Sequence, residues 1–268
     1  MLTILFLGDV VGEPGRDAVI ARLPEWKREW GLDFAIVNGE NAAAGRGITP
    51  KITIDLLRAG ASVITSGDHI WDRKEILPFI DTEPRLLRPL NYPKGAPGAG
   101  TIVLETAKGK IGVINVQART YMQPILENPF ALLDLAVEEM RVQTPVIIVD
   151  AHGETTSEKI AIGRYLDGRV SAVLGTHTHV QTADEQIFPN GTAFLCDAGM
   201  CGPENSILGR TIEPVIGRFI SNLPAMFPIA AGPVRLHGAL LQIDETTGRA
   251  HRITRVNEPG PAPAAAAT

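Results

Sequence analysis

Short apolar runs alternate with polar loops and helical patterns along the first third of the chain. Residues 2–7, 34–37 and 62–65 are apolar runs of strand length, and each leads into a polar loop. Between them, apolar residues recur at helical spacing over residues 19–30, and a second helix is predicted over residues 50–59. Strands that alternate with helices in this way are typical of a mostly parallel sheet with helices on its faces. We therefore predict the α/β fold class.

The rest of the chain continues these patterns without an internal repeat or a linker, which predicts a single domain over residues 1–258. Further strands are predicted at residues 101–105, 110–116, 145–149, 170–174, 186–188, 192–196, 234–243 and 251–256. Further helices are predicted from Asn128-Pro129 onward, up to about Leu166 and over residues 211–222. The glycine-rich stretches 8–15 and 197–203 are predicted to be loops, and the proline- and alanine-rich residues 259–268 a disordered tail.

Polar side chains gather where the predicted strands end, which is where open α/β sheets bind their ligands. These residues are Asp9, Glu40, Asn41, Asp68, His69, His152, His177 and His179. Carboxylates, an amide and several imidazoles together suit borderline-hard divalent ions such as Mn²⁺, Fe²⁺ or Zn²⁺. A single ion would not use so many ligands, so the set predicts two ions that share a bridging carboxylate. The pair His177 and His179 would be weak evidence alone, because alternation along a strand can place two histidines on a solvated face.

Composition narrows the classes of function. The chain has 268 residues, 44% of them hydrophobic, and a net charge of −5. This charge argues against a stable nucleic-acid complex, which needs a basic face, but bound cations could still attract a small phosphate ester. Two cysteines, no basic leader before the first apolar run and no stretch of membrane-spanning length predict a cytoplasmic protein with no membrane contact.

The order of these motifs resembles the calcineurin-like metallophosphoesterases, and more narrowly the YmdB family of bacterial dinuclear phosphodiesterases. The resemblance implies a metallophosphoesterase-like four-layer α/β/β/α sandwich. It rests on Gly8-Asp9-Val10-Val11-Gly12, Asn38-Gly39-Glu40-Asn41-Ala42-Ala43, Gly67-Asp68-His69-Ile70-Trp71-Asp72, Asp150-Ala151-His152-Gly153-Glu154 and the stretch from Gly175-Thr176-His177-Thr178-His179 to Asp184, with residues 197–202 also similar.

The resemblance also implies roles for individual residues. Asp9, Asn41 and His179 would bind one metal ion. Asp68, His152 and His177 would bind the other. Glu40 would bridge the two ions, and His69 would be a general acid that binds neither.

A cofactor and an activity follow from the same resemblance. The cofactor would be two divalent transition-metal ions, iron or manganese, with zinc as a further option. The substrate would be a small phosphodiester, a 2′,3′-cyclic nucleotide of the 2′,3′-cAMP type, attacked by a metal-bridging hydroxide. The family resemblance is compatible with a homo-oligomer, although no surface pattern in the sequence points to one.

Asp68 departs from the usual family pattern, which has Asn in Gly-Asn-His. Asp9, Glu40 and Asp68 bring three negative charges to the four positive charges of two divalent ions. With a bridging hydroxide the site would be neutral, whereas Asn would leave one positive charge. A less positive site binds a phosphodiester anion less strongly and is a weaker Lewis acid, or it favours one trivalent ion.

Other interpretations of the same residues remain open. A phosphomonoesterase of the same fold and a non-catalytic metal-binding regulatory protein would both use this ligand set. A metal-dependent amidohydrolase is less consistent, because its His-x-His pair normally opens the first strand, where this chain has Asp9. Asp72 is equally consistent with orienting His69 and with capping a helix from Lys74. Arg46 is interpreted as a solvated loop arginine.

Overall fold

Thirteen strands and five α-helices are the main elements of the described part of the chain. The computed structural model describes residues 1–261. In chain order the strands are β1 (Leu2–Leu7), β2 (Asp9–Val10), β3 (Phe34–Asn38), β4 (Val63–Thr65), β5 (Thr101–Thr106), β6 (Gly109–Gln117), β7 (Ile147–His152), β8 (Ala172–Thr176), β9 (Gln186–Ile187), β10 (Ala193–Leu195), β11 (Met200–Pro203), β12 (Val234–Ile243) and β13 (Ala250–Pro259). The helices are α1 (Gly12–Glu29), α2 (Pro50–Ala59), α3 (Pro129–Arg141), α4 (Thr156–Tyr165) and α5 (Ile212–Ser221).

The strands form two mixed sheets, and each sheet contains a run of neighbouring parallel strands. The first sheet has the order β2-β11-β12-β1-β3-β4, with β13 paired to the other edge of β12. The second has the order β5-β6-β7-β8-β10-β9. β1, β3 and β4 run parallel in the first sheet, as do β6, β7, β8 and β10 in the second. Each sheet therefore collects the carboxyl ends of several strands at one edge.

The two sheets face each other across a middle core and are covered by helices outside. Along β1, Ile4 and Phe6 face the middle core, whereas Leu5 and Leu7 pack on the helix side. Such strands are apolar on both faces, which explains the continuous apolar run at residues 2–7. α1 and α2 cover the first sheet, and α3 and α4 cover the second. This confirms the predicted four-layer α/β/β/α sandwich.

Helix caps account for the boundaries that the sequence predicted well. The Thr49 side chain accepts the Ile52 N–H at the start of α2, which ends at Gly60 with φ of 116°. The Asn128 side chain accepts the Phe130 N–H at the start of α3, ahead of Pro129. Residues 50–59 therefore form the predicted helix.

Three predicted boundaries are wrong. α1 begins at Gly12, inside the predicted loop 8–15, and residues 200–203 form β11 instead of a loop. β11 exists because β2 and β12 pair with it on its two edges, a long-range contact that local sequence does not encode. β13 includes Pro259, and the Gly260 N–H donates to the Val234 carbonyl, so the predicted tail 259–268 began too early. The rest of that prediction, residues 262–268, lies outside the described residues.

Within residues 1–261, none of the helices has the length and apolar character needed to cross a membrane.

Candidate metal centre

All eight residues predicted from the sequence meet at the edge where strands of both sheets end. The first sheet contributes five of them, from the carboxyl ends of β1, β3 and β4: Asp9, Glu40, Asn41, Asp68 and His69. The second sheet contributes three, from the ends of β7 and β8: His152, His177 and His179. Residues far apart in sequence are therefore neighbours because the two sheets stack with these ends together.

Four of these side chains form a group of the size that holds one metal ion. A ligand atom from each of Glu40, Asp68, His152 and His177 lies within 4.8 Å of the other three. His152 Nε2 is 3.1 Å from Asp68 Oδ1 and 3.3 Å from Glu40 Oε1. His177 Nδ1 is 3.1 Å from His152 Nε2. Two imidazole nitrogens and two carboxylates that converge on one point are the donor set expected around a divalent transition metal.

The remaining three predicted ligands lie beside this group. His179 Nε2 is 3.2 Å from Asn41 Oδ1, and the Asp9 Oδ2 accepts the His177 N–H at 3.1 Å. The other Asp9 oxygen is buried and has no hydrogen-bond partner among the described residues. Burial raises the pKa of Asp9 to about 7. A bound cation would satisfy this oxygen and favour the charged carboxylate, so the residues present fit a second metal ion.

Gly67 has no side chain and therefore leaves room for the ligand atoms of Glu40 and His152. A Cβ atom at this position would lie 2.2 Å from both Glu40 Oε2 and His152 Nε2. Any side chain here would displace the ligands, so the close approach requires glycine.

The loop that carries His177 and His179 has an unfavourable backbone conformation, and a buried ion pair holds it in place. β8 ends at Thr176, and the two histidines have φ of 101° and 65°, so strand alternation does not orient them. Left-handed non-glycine residues cost on the order of 1–3 kcal/mol each and persist where the surroundings impose them. Here Asp197 accepts the Thr178 N–H at 3.1 Å and the Lys159 Nζ at 2.7 Å, and both ion-pair side chains are buried.

A hydrogen-bond relay behind His152 was not predicted from the sequence. The Thr176 hydroxyl donates to Asp150 Oδ1 at 2.7 Å and is therefore free to accept from His152 Nδ1, 2.8 Å away. Asn38 Nδ2 donates to the other Asp150 oxygen at 3.1 Å. A proton on Nδ1 leaves the Nε2 lone pair directed at the ligand group, as in many histidine metal sites. The only signal in the sequence was Asp150 two residues before His152 on the same strand face.

His69 lies at the rim of the ligand group and contacts Asp72. The distance from His69 Nδ1 to Asp72 Oδ2 is 3.1 Å, and Arg46 Nε lies 2.8 Å from the same oxygen. The short 3-10 helix Lys74–Ile76 has Arg73 at its cap position and no side-chain cap. These contacts support the orienting role of Asp72 over the capping role. Arg46 is exposed, as predicted, but it is held by Asp72 and is not free in solvent.

An open cleft of about 500 Å³ lies over the ligand residues. Its outer wall includes Arg46, Glu154, Leu208 and Arg210. Arg210 donates to the carbonyls of Gly45, at 2.7 Å, and of Phe227, at 3.0 Å. The guanidinium thereby joins the loop around Arg46 to the segment that follows β11.

The fold and the site together define the class of protein. A four-layer α/β/β/α sandwich with carboxylates and imidazoles gathered at its strand ends, able to bind metal, is that of the calcineurin-like metallophosphoesterases. The sequence matches the family model of YmdB-like proteins over residues 5–256. The chain therefore belongs to the YmdB-like family.

Relatives match over nearly their whole length. The 2′,3′-cyclic-nucleotide 2′-phosphodiesterase of Bacillus subtilis (strain 168) is 49% identical over 255 residues, which cover 95% of this chain and 96% of the relative. A solved structure from Thermus thermophilus, described as a hypothetical protein, superimposes with a TM-score of 0.91 at 40% identity, covering 97% of this chain and 100% of the other. A structure described as a novel phosphatase from Mycoplasma pneumoniae has the same TM-score at 33% identity, covering 98% and 95%.

We expect Lys159→Met to destabilise the protein by about 3–5 kcal/mol, because it leaves the buried Asp197 carboxylate without its partner. The same change should release the His177–His179 loop and weaken metal binding. Urea denaturation measures the first effect, and metal titration of the folded variant measures the second.

Lys51→Met is the matched control, because Lys51 pairs with Asp55 at 2.6 Å on the exposed surface of α2. Its cost should be below about 1 kcal/mol. Equal losses for the two variants would contradict a special role of the buried pair.

Proposed function

We propose that the protein is a dinuclear metal-dependent phosphodiesterase that hydrolyses 2′,3′-cyclic nucleotides of the 2′,3′-cAMP type. The observation that carries this proposal is the convergence of seven side chains of metal-ligand type beneath a cleft with His69 at the rim, four of them close enough to hold one ion. The name of the B. subtilis relative, which is 49% identical over nearly the whole of both chains, supports the substrate class. The volume of the cleft, about 500 Å³, is within the range of small-molecule sites.

Seven side chains would hold the metal ions. Asp9, Asn41 and His179 form one ligand set, Asp68, His152 and His177 form the other, and Glu40 joins them. Two divalent transition-metal ions, iron or manganese with zinc as a further option, would neutralise the phosphodiester and lower the pKa of a bound water. Because His152 Nε2 and His177 Nδ1 lie 3.1 Å apart, an ion bound to both would take the place of the hydrogen bond that these atoms can form with each other.

His69 is the general acid in this proposal. Asp72 accepts the Nδ1 proton of the imidazole, which leaves Nε2 to carry the proton that is transferred. As water oxygen bonds to phosphorus, the bond from phosphorus to one ribose oxygen breaks, and His69 protonates that oxygen. A ribose alkoxide is a poor leaving group, so this proton transfer contributes about 10²–10⁴-fold to the rate. Arg46 holds Asp72 from the other side and so positions the pair.

We further infer a cytoplasmic protein without a stable nucleic-acid complex. Cys196 and Cys201 are both free and buried, as suits a reducing compartment. The net charge of −5 disfavours binding to a polyanionic backbone. The partner is a small phosphodiester.

A substrate panel tests the proposed activity directly. The purified chain loaded with Mn²⁺ should hydrolyse 2′,3′-cyclic nucleotides and bis-nitrophenyl phosphate, and chelation should abolish both activities. Faster turnover of monoesters would favour a phosphomonoesterase of the same fold. Absence of hydrolysis with manganese, iron and zinc alike would favour a non-catalytic metal-binding protein.

We expect His69→Ala to retain its metal ions and to lose about 10²–10⁴-fold in kcat on a 2′,3′-cyclic nucleotide. On bis-nitrophenyl phosphate the loss should be small, because nitrophenolate leaves without a proton. His251→Ala on the exposed edge strand β13 is the control and should match the wild type. Equal losses on both substrates would refute a general-acid role for His69.

We expect Asp68→Asn to keep two metal ions per chain and to change either metal preference or turnover. Burial acts to raise the pKa of Asp68, but hydrogen bonds from His152 and His177 lower it by more. The net pKa is below the ordinary value, so the carboxylate is charged. Asn would remove one negative charge while it keeps an oxygen ligand. Elemental analysis after loading with each metal is the measurement, and a variant that loses both ions would contradict the expectation.

A further inference from the structure

One positively charged side chain on the wall of the cleft has no carboxylate to pair with. Arg46, on the same wall, lies 2.8 Å from Asp72, whereas Arg210 forms no ion pair with any carboxylate in residues 1–261. An arginine side chain keeps its charge in proteins. The wall of the cleft therefore carries one positive charge that no group in this part of the chain neutralises.

The hydrogen bonds of Arg210 leave part of its guanidinium available. Nη1 donates to the carbonyl oxygens of Phe227, at 3.0 Å, and of Ala44, at 3.4 Å, and Nη2 donates to that of Gly45 at 2.7 Å. A guanidinium has five N–H groups. The Nε–H and one of the two Nη2–H groups therefore have no acceptor among the described residues. Two N–H groups are what a bidentate hydrogen bond to a phosphate requires.

Arg210 lies beside Asn41 and His179, two of the candidate metal ligands. The Gly45 carbonyl that accepts from Arg210 also accepts from Asn41 Nδ2 at 3.3 Å, so the guanidinium and the ligand amide meet at one oxygen. Leu208, two residues before Arg210, places its carbonyl oxygen 3.4 Å from His179 Nδ1. A phosphoester bound at these ligands would lie on the same side of the cleft as the guanidinium.

Both loops that bring Arg210 into place have unfavourable backbone conformations. Ala44 and Leu208 have φ of 56° and 51°, in the left-handed region that non-glycine residues avoid. Gly45 has φ of 85°, and a Cβ atom there would lie 2.4 Å from Arg210 Nη2. Glycine is therefore required for the guanidinium to approach this carbonyl. Backbone strain that the surroundings impose is typical of ligand-binding sites.

The protein surroundings do not favour the charge of Arg210. Burial and the nearby charge of Arg46 lower the pKa of Arg210. The side chain stays protonated, but these surroundings stabilise its charge less than water does. Holding two loops together through carbonyl oxygens requires only neutral donors, so this role alone does not account for a charged group. A bound anion would offset the cost of the charge through charge-assisted hydrogen bonds.

We propose that Arg210 binds a phosphoryl oxygen of the substrate, through the N–H groups that its carbonyl contacts leave free. The inference rests on the proposed function for the identity of the anion, a phosphodiester, and it gives the cleft a residue that binds substrate without binding metal. Arg46 is not equivalent to Arg210, because its Nε lies 2.8 Å from Asp72, which also contacts His69.

Calorimetric titration of inorganic phosphate into the Mn²⁺-loaded full chain tests the proposal. Arg210→Met should bind phosphate about 10–100-fold more weakly than the wild type, the usual effect of losing a hydrogen bond between charged groups. Arg210→Lys should lose less, because it keeps the charge without the two-pronged geometry. Arg141→Met is the matched control, since Arg141 is exposed, donates to the Arg169 carbonyl at 2.8 Å and lies outside the cleft. It should bind phosphate like the wild type, and every variant should keep the metal content of the wild type.

Three results would overturn the proposal. The first is a loaded wild type that binds no phosphate, and the second is an Arg210→Met variant that binds it as tightly as Arg141→Met does. The third is an equal loss in Arg210→Met and Arg210→Lys, which would show that Arg210 serves only to join the two loops. Phosphate binding requires no turnover, so the proposed function is tested separately. A wild type that hydrolyses no phosphoester, but whose phosphate affinity depends on Arg210, would refute the proposed function and support this inference.

Discussion

The main physical constraint on this structure is the repulsion between carboxylates that lie close together and are shielded from water. Asp9 and Glu40 are buried, Asp68 is largely so, and all three lie at one edge of the sandwich. Like charges at such distances in a protein interior repel strongly, and desolvation adds to the cost. His152 offsets part of it by hydrogen bonds to Asp68 and Glu40. Bound cations would offset the rest, because these carboxylates and imidazoles are suitable ligands for a divalent transition metal.

The sandwich makes this arrangement possible because it is rigid where the ligands are attached. Strands of both sheets are apolar on two faces and are clamped between a middle core and outer helices. The ligands follow directly after these strands, so little free loop separates them from the packed layers. Where the chain does leave the strand, at His177 and His179, the buried pair of Lys159 and Asp197 holds it in an unfavourable backbone conformation. Stability from packing thus sustains local strain at the site.

The sequence predicted those features that local patterns encode and missed those that arise from distant contacts. α2 and α3 have caps and periodic faces that can be read locally, and the eight polar residues could be placed because strand ends gather in parallel sheets. β11 was missed because the strands that pair with it, β2 and β12, are distant in sequence. The hydrogen bonds from Asp150 through Thr176 to His152 were missed because the partners of a hydroxyl group depend on packing. The orientation of His177 and His179 could not be predicted from strand periodicity either, because both histidines lie past the end of β8 with positive φ.

The two sides of the cleft are formed by different kinds of structure, strand ends on one side and loops on the other. The metal-facing side is formed by strand ends that the core holds in place. The open side is formed by two loops, one with Arg46 and one with Leu208 and Arg210, which are joined by hydrogen bonds from Arg210 to Gly45 and Phe227. Loops of this kind can change length and sequence without disturbing the sheets. The loop wall of the cleft can therefore vary independently of the candidate metal ligands, which are attached to the sandwich beneath it.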